Sequence, residues 1–155
     1  MSSFQRLFDL IGELARRRLQ AGEQAFASLG LNHTEARLLT LLDREGGDAT
    51  QEVLSGMLHI DRSNAGRALK HLEQGGYIAR QKSETDKRAN LLQMRPRGRK
   101  AVLEISKLRN TMAQSFFGDL EEDEAEMIAD LLIRALAKGE RKMTLNRPRT
   151  KHAGE

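Results

Sequence analysis

Between residues 4 and 26 the side chains Phe4, Leu7, Phe8, Ile11, Leu14, Leu19, Gly22 and Phe26 recur at three- and four-residue steps, with Glu13, Arg16, Arg17, Arg18 and Glu23 between them. That spacing predicts one long amphipathic helix, closed by Gly30. Asn32 followed by Glu35 is a capping-box signal for a second helix carrying Ala36, Leu38, Leu39, Leu41 and Leu42, ended by Gly46 and Gly47. Asp48 or Thr50 caps a short third helix whose apolar stripe is Val53, Leu54, Met57 and Leu58. Ile60 and Asp61 open a fourth, with Ala65, Ala68, Leu69 and Leu72 at helical spacing until Gly75 and Gly76.

Behind the glycine pair the period changes. Tyr77 to Lys82 and Ala89 to Met94 read as two short strands joined by the polar turn from Ser83 to Arg88, a hairpin directly after a helix-turn-helix. Pro96 and Gly98 precede a fifth helix with Val102, Ile105, Leu108, Met112 and Phe116. Asp119 and Glu122 start a sixth with Met127, Ile128, Leu131, Leu132 and Leu136. Arg141 to Glu155 holds five basic residues and too little apolar content to pack, so a mobile tail is expected. The fold class is mainly α with a small β-hairpin. All five Phe fall in the terminal helices, at 4, 8, 26, 116 and 117. Residues 1–30 and 101–140 are therefore expected to form a helical dimerisation region around a central module at 31–100, because such long apolar faces exceed what one small core covers.

Charge sharpens that division. The formal net charge is only +4 over 155 residues, but residues 61–100 hold 11 basic and 4 acidic side chains, whereas the rest is slightly acidic. A local excess of this kind is the footprint of a polyanion-binding surface. The chain has no cysteine, which removes disulfides, thiolate metal sites, cysteine nucleophiles and thiol redox sensing. It has no long uncharged apolar run and opens without a signal-peptide pattern, so a cytoplasmic protein that does not enter a membrane is expected. The histidines, at 33, 59, 71 and 152, are too scattered for a metal site, and the acids from Glu121 to Glu126 sit where a helix start welcomes carboxylates. No P-loop, dinucleotide or nucleophile-elbow motif is present. No enzyme activity, cofactor or metal is expected.

The fourth helix instead presents Arg62, Ser63, Asn64, Gly66, Arg67, Lys70 and His71 outward, all small, polar or basic. A helix with such a face, entered from a short helix by a tight turn, suits the DNA major groove. Ser63 and Gly66 permit close approach, Asn64 can pair with adenine and Arg67 with guanine, and Arg62, Lys70 and His71 reach phosphates. With one tyrosine and no phenylalanine in the basic region, RNA binding by stacking is disfavoured. An architectural protein that coats DNA without sequence preference is the alternative.

The run from Ile60 to Leu69, the stretch from Leu72 to Arg80 with its Gly75-Gly76-Tyr77-Ile78, and the segment from Asp86 to Asn90 closely resemble bacterial transcriptional regulators of the multiple-antibiotic-resistance regulator (MarR) family. The resemblance extends over about residues 4 to 138. It implies a winged-helix homodimer with interlocking terminal helices on a pseudo-palindromic double-stranded operator, acting as a repressor. Carried over to this chain, it makes Arg88 the wing residue at the minor groove and Asp86 its orienting partner, with Lys82 and Lys87 beside them, and it brings Thr50 and Gln51 to a phosphate at a helix N-terminus. Relatives that bind aromatic carboxylates or phenols between the first helix and the central module imply a small anionic ligand, for which Arg16, Arg17, His33 and Arg37 are the candidates. This chain departs from the family at Met94-Arg95-Pro96, where a Leu-Thr pair is usual, and its lack of cysteine closes the thiol-sensing route that some members use.

Overall fold

The computed structural model describes residues 1–82 and 90–145. In chain order it contains helix α1 (Ser3–Ala27), α2 (His33–Arg44), strand β1 (Asp48–Thr50), α3 (Gln51–Leu58), α4 (Arg62–Gln74), β2 (Ile78–Lys82), β3 (Asn90–Met94), α5 (Pro96–Phe117) and α6 (Glu122–Leu145). The chain divides into two compact units, Met1–Ala113 and Gln114–Glu155.

Local chemistry sets most boundaries in the first unit. The Asn32 side chain accepts the Glu35 N–H while the Glu35 carboxylate accepts the Asn32 N–H, both at 2.9 Å, so two orphan donors of α2 are satisfied reciprocally. An equivalent box, Ser2 with Gln5, starts α1 and escaped the hydrophobic pattern. Of the two candidate caps for α3, Thr50 is the one used, its hydroxyl accepting the Val53 N–H at 3.3 Å. Asp48 instead belongs to β1, a strand that the sequence reading did not foresee. Gly46 and Gly47, at φ +83° and +94°, turn the chain from α2 into β1 through backbone angles that a side chain would oppose.

The sheet is antiparallel with order β1-β3-β2. Ala49 faces Leu92 and Ile78 faces Met94, and all four are buried. They close one side of a core whose other walls are Leu38, Leu39 and Leu42 of α2, Leu54 and Leu58 of α3, Leu69 and Leu72 of α4, and Ala101 and Ile105 of α5. Tyr77 locks the rear of α4: its hydroxyl donates to the Leu29 carbonyl at 3.2 Å, and the Arg97 guanidinium lies 4.5 Å from its ring centre.

The ends of the chain are packed differently. Along α1 only Gly22 and Phe26 are buried, while Phe4 and Phe8 are 85% and 79% exposed. In the second unit α6 opens on Glu122, Asp123 and Glu124, and Glu124 accepts the Glu121 N–H at 2.9 Å, so these acids serve the helix start. Met127, Ile128, Leu131 and Leu136 of α6 are exposed. The helix runs to Leu145, so Arg141 to Leu145, read above as the start of a tail, are helical. Among the described residues no helix is long and apolar enough to cross a membrane.

Candidate nucleic-acid interface

The polar face of α4 is built by its apolar one. Ala65, Ala68, Leu69 and Leu72 are buried at three- and four-residue intervals, which turns Arg62, Ser63, Asn64, Arg67, Lys70 and His71 to solvent. Burial of Leu69 and Leu72 stabilises the docked helix by roughly 1.5–3 kcal/mol each. The exposed Arg62–Glu52 pair at 3.7 Å contributes about 0–1 kcal/mol, so packing and not charge holds α4 in place. The turn before it is made by His59, left-handed at φ 52°, ψ 38°, which stops α3 and hands the chain to the N-cap Asp61. The Asp61 carboxylate accepts the Asn64 N–H at 2.9 Å. That bond first of all holds the carboxyl below its ordinary range.

The predicted contact residues divide into those that face solvent and those already engaged. Arg62, Ser63, Asn64, Arg67, Lys70 and Lys82 are exposed. Gln51 is half-buried, its amide nitrogen donating to the Arg62 carbonyl at 3.4 Å and its amide oxygen accepting from Arg80 at 3.5 Å. Gly66 lies under that same amide, 3.5 Å from where a Cβ would stand, so its small size also serves the approach of α3 to α4. The Thr50 hydroxyl is used by its helix cap. Asp86, Lys87 and Arg88 lie outside the described residues.

His71 differs from its reading as a simple phosphate contact. Its Nδ1 stands 2.8 Å from Glu35 Oε1, on a carboxylate only 6% exposed. Glu35 thereby joins the start of α2 to α4. Sequence reasoning found its capping role but not this partner, because 36 positions separate the two residues and no periodic signal connects them.

The candidate anion ligands are also split. Arg16 and Arg17 both bind Glu13, at 2.8 and 2.6 Å. His33 is different: its Nδ1 is buried without a hydrogen-bond partner and lies 2.7 Å from where a Cβ on Gly22 would stand. Burial lowers its pKa first, and the charge of Arg37 next, with Arg18 and Arg109 adding to the effect against the opposing charge of Glu23. Arg109 and Arg18 were not singled out in the sequence. Arg109 is itself lowered by burial and then by Arg18 and Arg44, which marks a small cationic cluster. Among the described residues no group of three or more His, Asp and Glu is placed to hold a metal ion.

Residues 29–89, which include α2, β1, α3, α4 and β2, match the MarR family model. Over 108 residues, 70% of this chain, the sequence is 26% identical to YdgJ, an uncharacterized HTH-type transcriptional regulator of Bacillus subtilis, and it covers 65% of that relative's length. The central part of the chain thus carries the MarR-family pattern. The chain's fold agrees with solved MarR structures. A MarR transcriptional regulator from Methanosarcina mazei Go1 superposes with TM-score 0.81 at 23% identity, over 88% of this chain and 98% of that one. A mutant MarR from E. coli, crystallised with operator DNA, superposes with TM-score 0.74 at 21% identity, over 88% and 99%. The element order α3-α4-β2-β3 is that of a winged helix-turn-helix fold.

Proposed function

We propose that this chain is a MarR-type regulator: a dimeric, sequence-specific DNA-binding transcriptional regulator, a cytoplasmic repressor that a small aromatic anion releases from its operator. One observation carries the DNA reading: the solvent face of α4 holds Arg62, Ser63, Asn64, Arg67 and Lys70 and no apolar side chain, on a helix fixed by four buried residues. Such a face offers donors to base edges and phosphates and nothing to a protein core. A two-fold dimer places two such helices in major grooves about one turn apart, roughly 34–36 Å, and so requires a pseudo-palindromic site. Dimerisation is supported by the unpaired apolar face of α1, where Met1, Phe4 and Phe8 line an open groove of about 550 Å3.

Selection of bound DNA from a random pool tests this reading. The expected result is a two-fold-symmetric motif bound at least about 10³-fold more tightly than unrelated DNA at physiological salt. A ratio below about tenfold would establish the architectural alternative instead. Arg88→Ala is expected to weaken binding and to lower the salt slope by about one phosphate equivalent per subunit. Unchanged affinity and slope would remove Arg88 from the wing contact.

For the ligand, the unpartnered His33 Nδ1 beside Arg37, Arg18 and Arg109 supports an anion at this junction of α1, α2 and α5 more strongly than the paired Arg16 and Arg17 do. Millimolar salicylate is expected to raise the melting temperature and to weaken operator binding. If neither moves, this effector class is wrong.

A further inference from the structure

The N-terminal turns of α4 carry a ladder of three polar side chains at i, i+3 and i+6. Asp61 accepts from the Asn64 side-chain amide as well as from its backbone N–H, and the Asn64 oxygen accepts from Arg67 Nη2 at 2.5 Å. All three side chains are exposed on the face that the DNA reading turns toward the major groove.

From this geometry we infer that Arg67 is the base reader of the recognition helix, selecting a guanine, and that Asn64 is its positioning residue and not a reader of adenine. The inference rests on the DNA-binding reading above and specifies what that site selects. An asparagine that reads adenine must donate from Nδ2 to N7 and accept at Oδ1 from the exocyclic amine. In Asn64 one Nδ2 hydrogen is held by Asp61 and one Oδ1 lone pair by Arg67, so the plane of the amide is set by two partners on its own helix. Rotating the amide out of that plane to pair with adenine would break both bonds and leave the Asp61 carboxylate without its side-chain donor.

Arg67 is in the opposite position. One Nη2 hydrogen is spent on Asn64, and the guanidinium still has donors enough for the two acceptors that guanine offers in the major groove, O6 and N7. The bond to Asn64 restricts a long, exposed side chain before DNA arrives, so less rotamer freedom is lost on binding. Ser63 and Gly66 flank Arg67 with little bulk, which allows the helix to approach the base edge.

The test is selection from a random DNA pool with the full-length wild-type protein and with Arg67→Ala, Arg67→Lys, Asn64→Ala and Asp61→Asn, followed by competition titrations on the selected site. Wild type is expected to prefer guanine at one position of each half-site by roughly 5- to 150-fold over other bases. Arg67→Ala and Arg67→Lys should abolish that preference, and the lysine should retain more overall affinity because it keeps the charge. Asn64→Ala should keep guanine as the chosen base at reduced discrimination, with no adenine position lost. Asp61→Asn, which preserves the helix cap, should give a smaller loss at the same position. Melting temperatures check that each variant folds. A motif unchanged by Arg67→Ala, or an adenine position lost in Asn64→Ala while the guanine stays, overturns the proposal alone. A wild-type pool without any enriched motif overturns it together with the DNA-regulator reading.

Discussion

Helices α1 and α4 look alike as sequences, each an amphipathic run with arginines on its polar side, and the structure treats them in opposite ways. In α4 the apolar stripe is sealed within one chain: Ala65, Leu69 and Leu72 are at most 1% exposed, and only polar groups remain outside. In α1 the stripe is sealed at its C-terminal end alone, by Phe26, and Phe4, Leu7, Phe8 and Ile11 stay in solvent. An amphipathic pattern therefore says that a face must be covered and does not say by what. For α4 the cover is the chain's own core, and the exposed side is free for a ligand. For α1 the exposed side is the apolar one, which is the signature of association.

The contrast predicts different consequences for the same kind of damage. Leu72→Ala removes a fully buried side chain between α4 and the core, and should lower the unfolding free energy by about 2–5 kcal/mol in urea titrations. A loss below about 1 kcal/mol would mean that α4 is not anchored as described. Phe8→Asp on α1 should instead leave the helical content unchanged while converting dimer to monomer in light scattering. Operator affinity should then fall by about 10²-fold or more, because two linked half-sites bind far more tightly than one. A dimer that survives Phe8→Asp shows that this face of α1 is not the contact.

Two smaller effects sharpen the point at which α1 meets the central module. Burial favours neutral His33 in the folded chain, whereas in the unfolded chain it takes up its proton near the ordinary value of 6.5. Stability is then full above that value and declines as pH falls from it to the lower folded pKa. His33→Gln should remove this slope, and a wild-type melting temperature flat between pH 7 and 5 would contradict the buried, unpartnered imidazole. An anion bound beside His33 would favour the protonated ring, so salicylate should bind more tightly toward acid pH. Last, Arg16→Ala should produce no measurable change in stability, because Arg16 and Arg17 share one exposed carboxylate, Glu13. A clear drop would give Arg16 a role in the dimer or the ligand site that its ion pair does not reveal.

What could be read in advance follows the range of the interactions involved. The capping box of Asn32 and Glu35, the cap at Asp61, the stop at Gly46 and Gly47, and the buried quartet of α4 are contacts within a turn or two of one segment, and each is written in adjacent residues. Strand β1 was missed because three residues are too few to show alternation; it exists because β3 offers it a ladder from a site more than forty positions away. The same limit applies to the site. The exposed face of α4 was legible as a periodic set, but the use of Gln51 as a brace for Arg62 and Arg80, and of His71 as a partner for Glu35, depends on which elements lie beside them.

By itself, the sequence determined the helices, the caps at Asn32 and Asp61 and the position of the basic module, because local periodicity and turn chemistry are short-range properties of the chain. It also carried the resemblance to MarR regulators, through the run from Ile60 to Arg80. Only the tertiary structure decided which polar groups stay available for a ligand. Gln51 and His71 carry the same donors and acceptors as their neighbours, but packing of α2, α3 and β2 against α4 has already given those groups protein partners. It likewise left His33 Nδ1 without one, since Gly22 and Phe26 close over the ring and bring no acceptor to it.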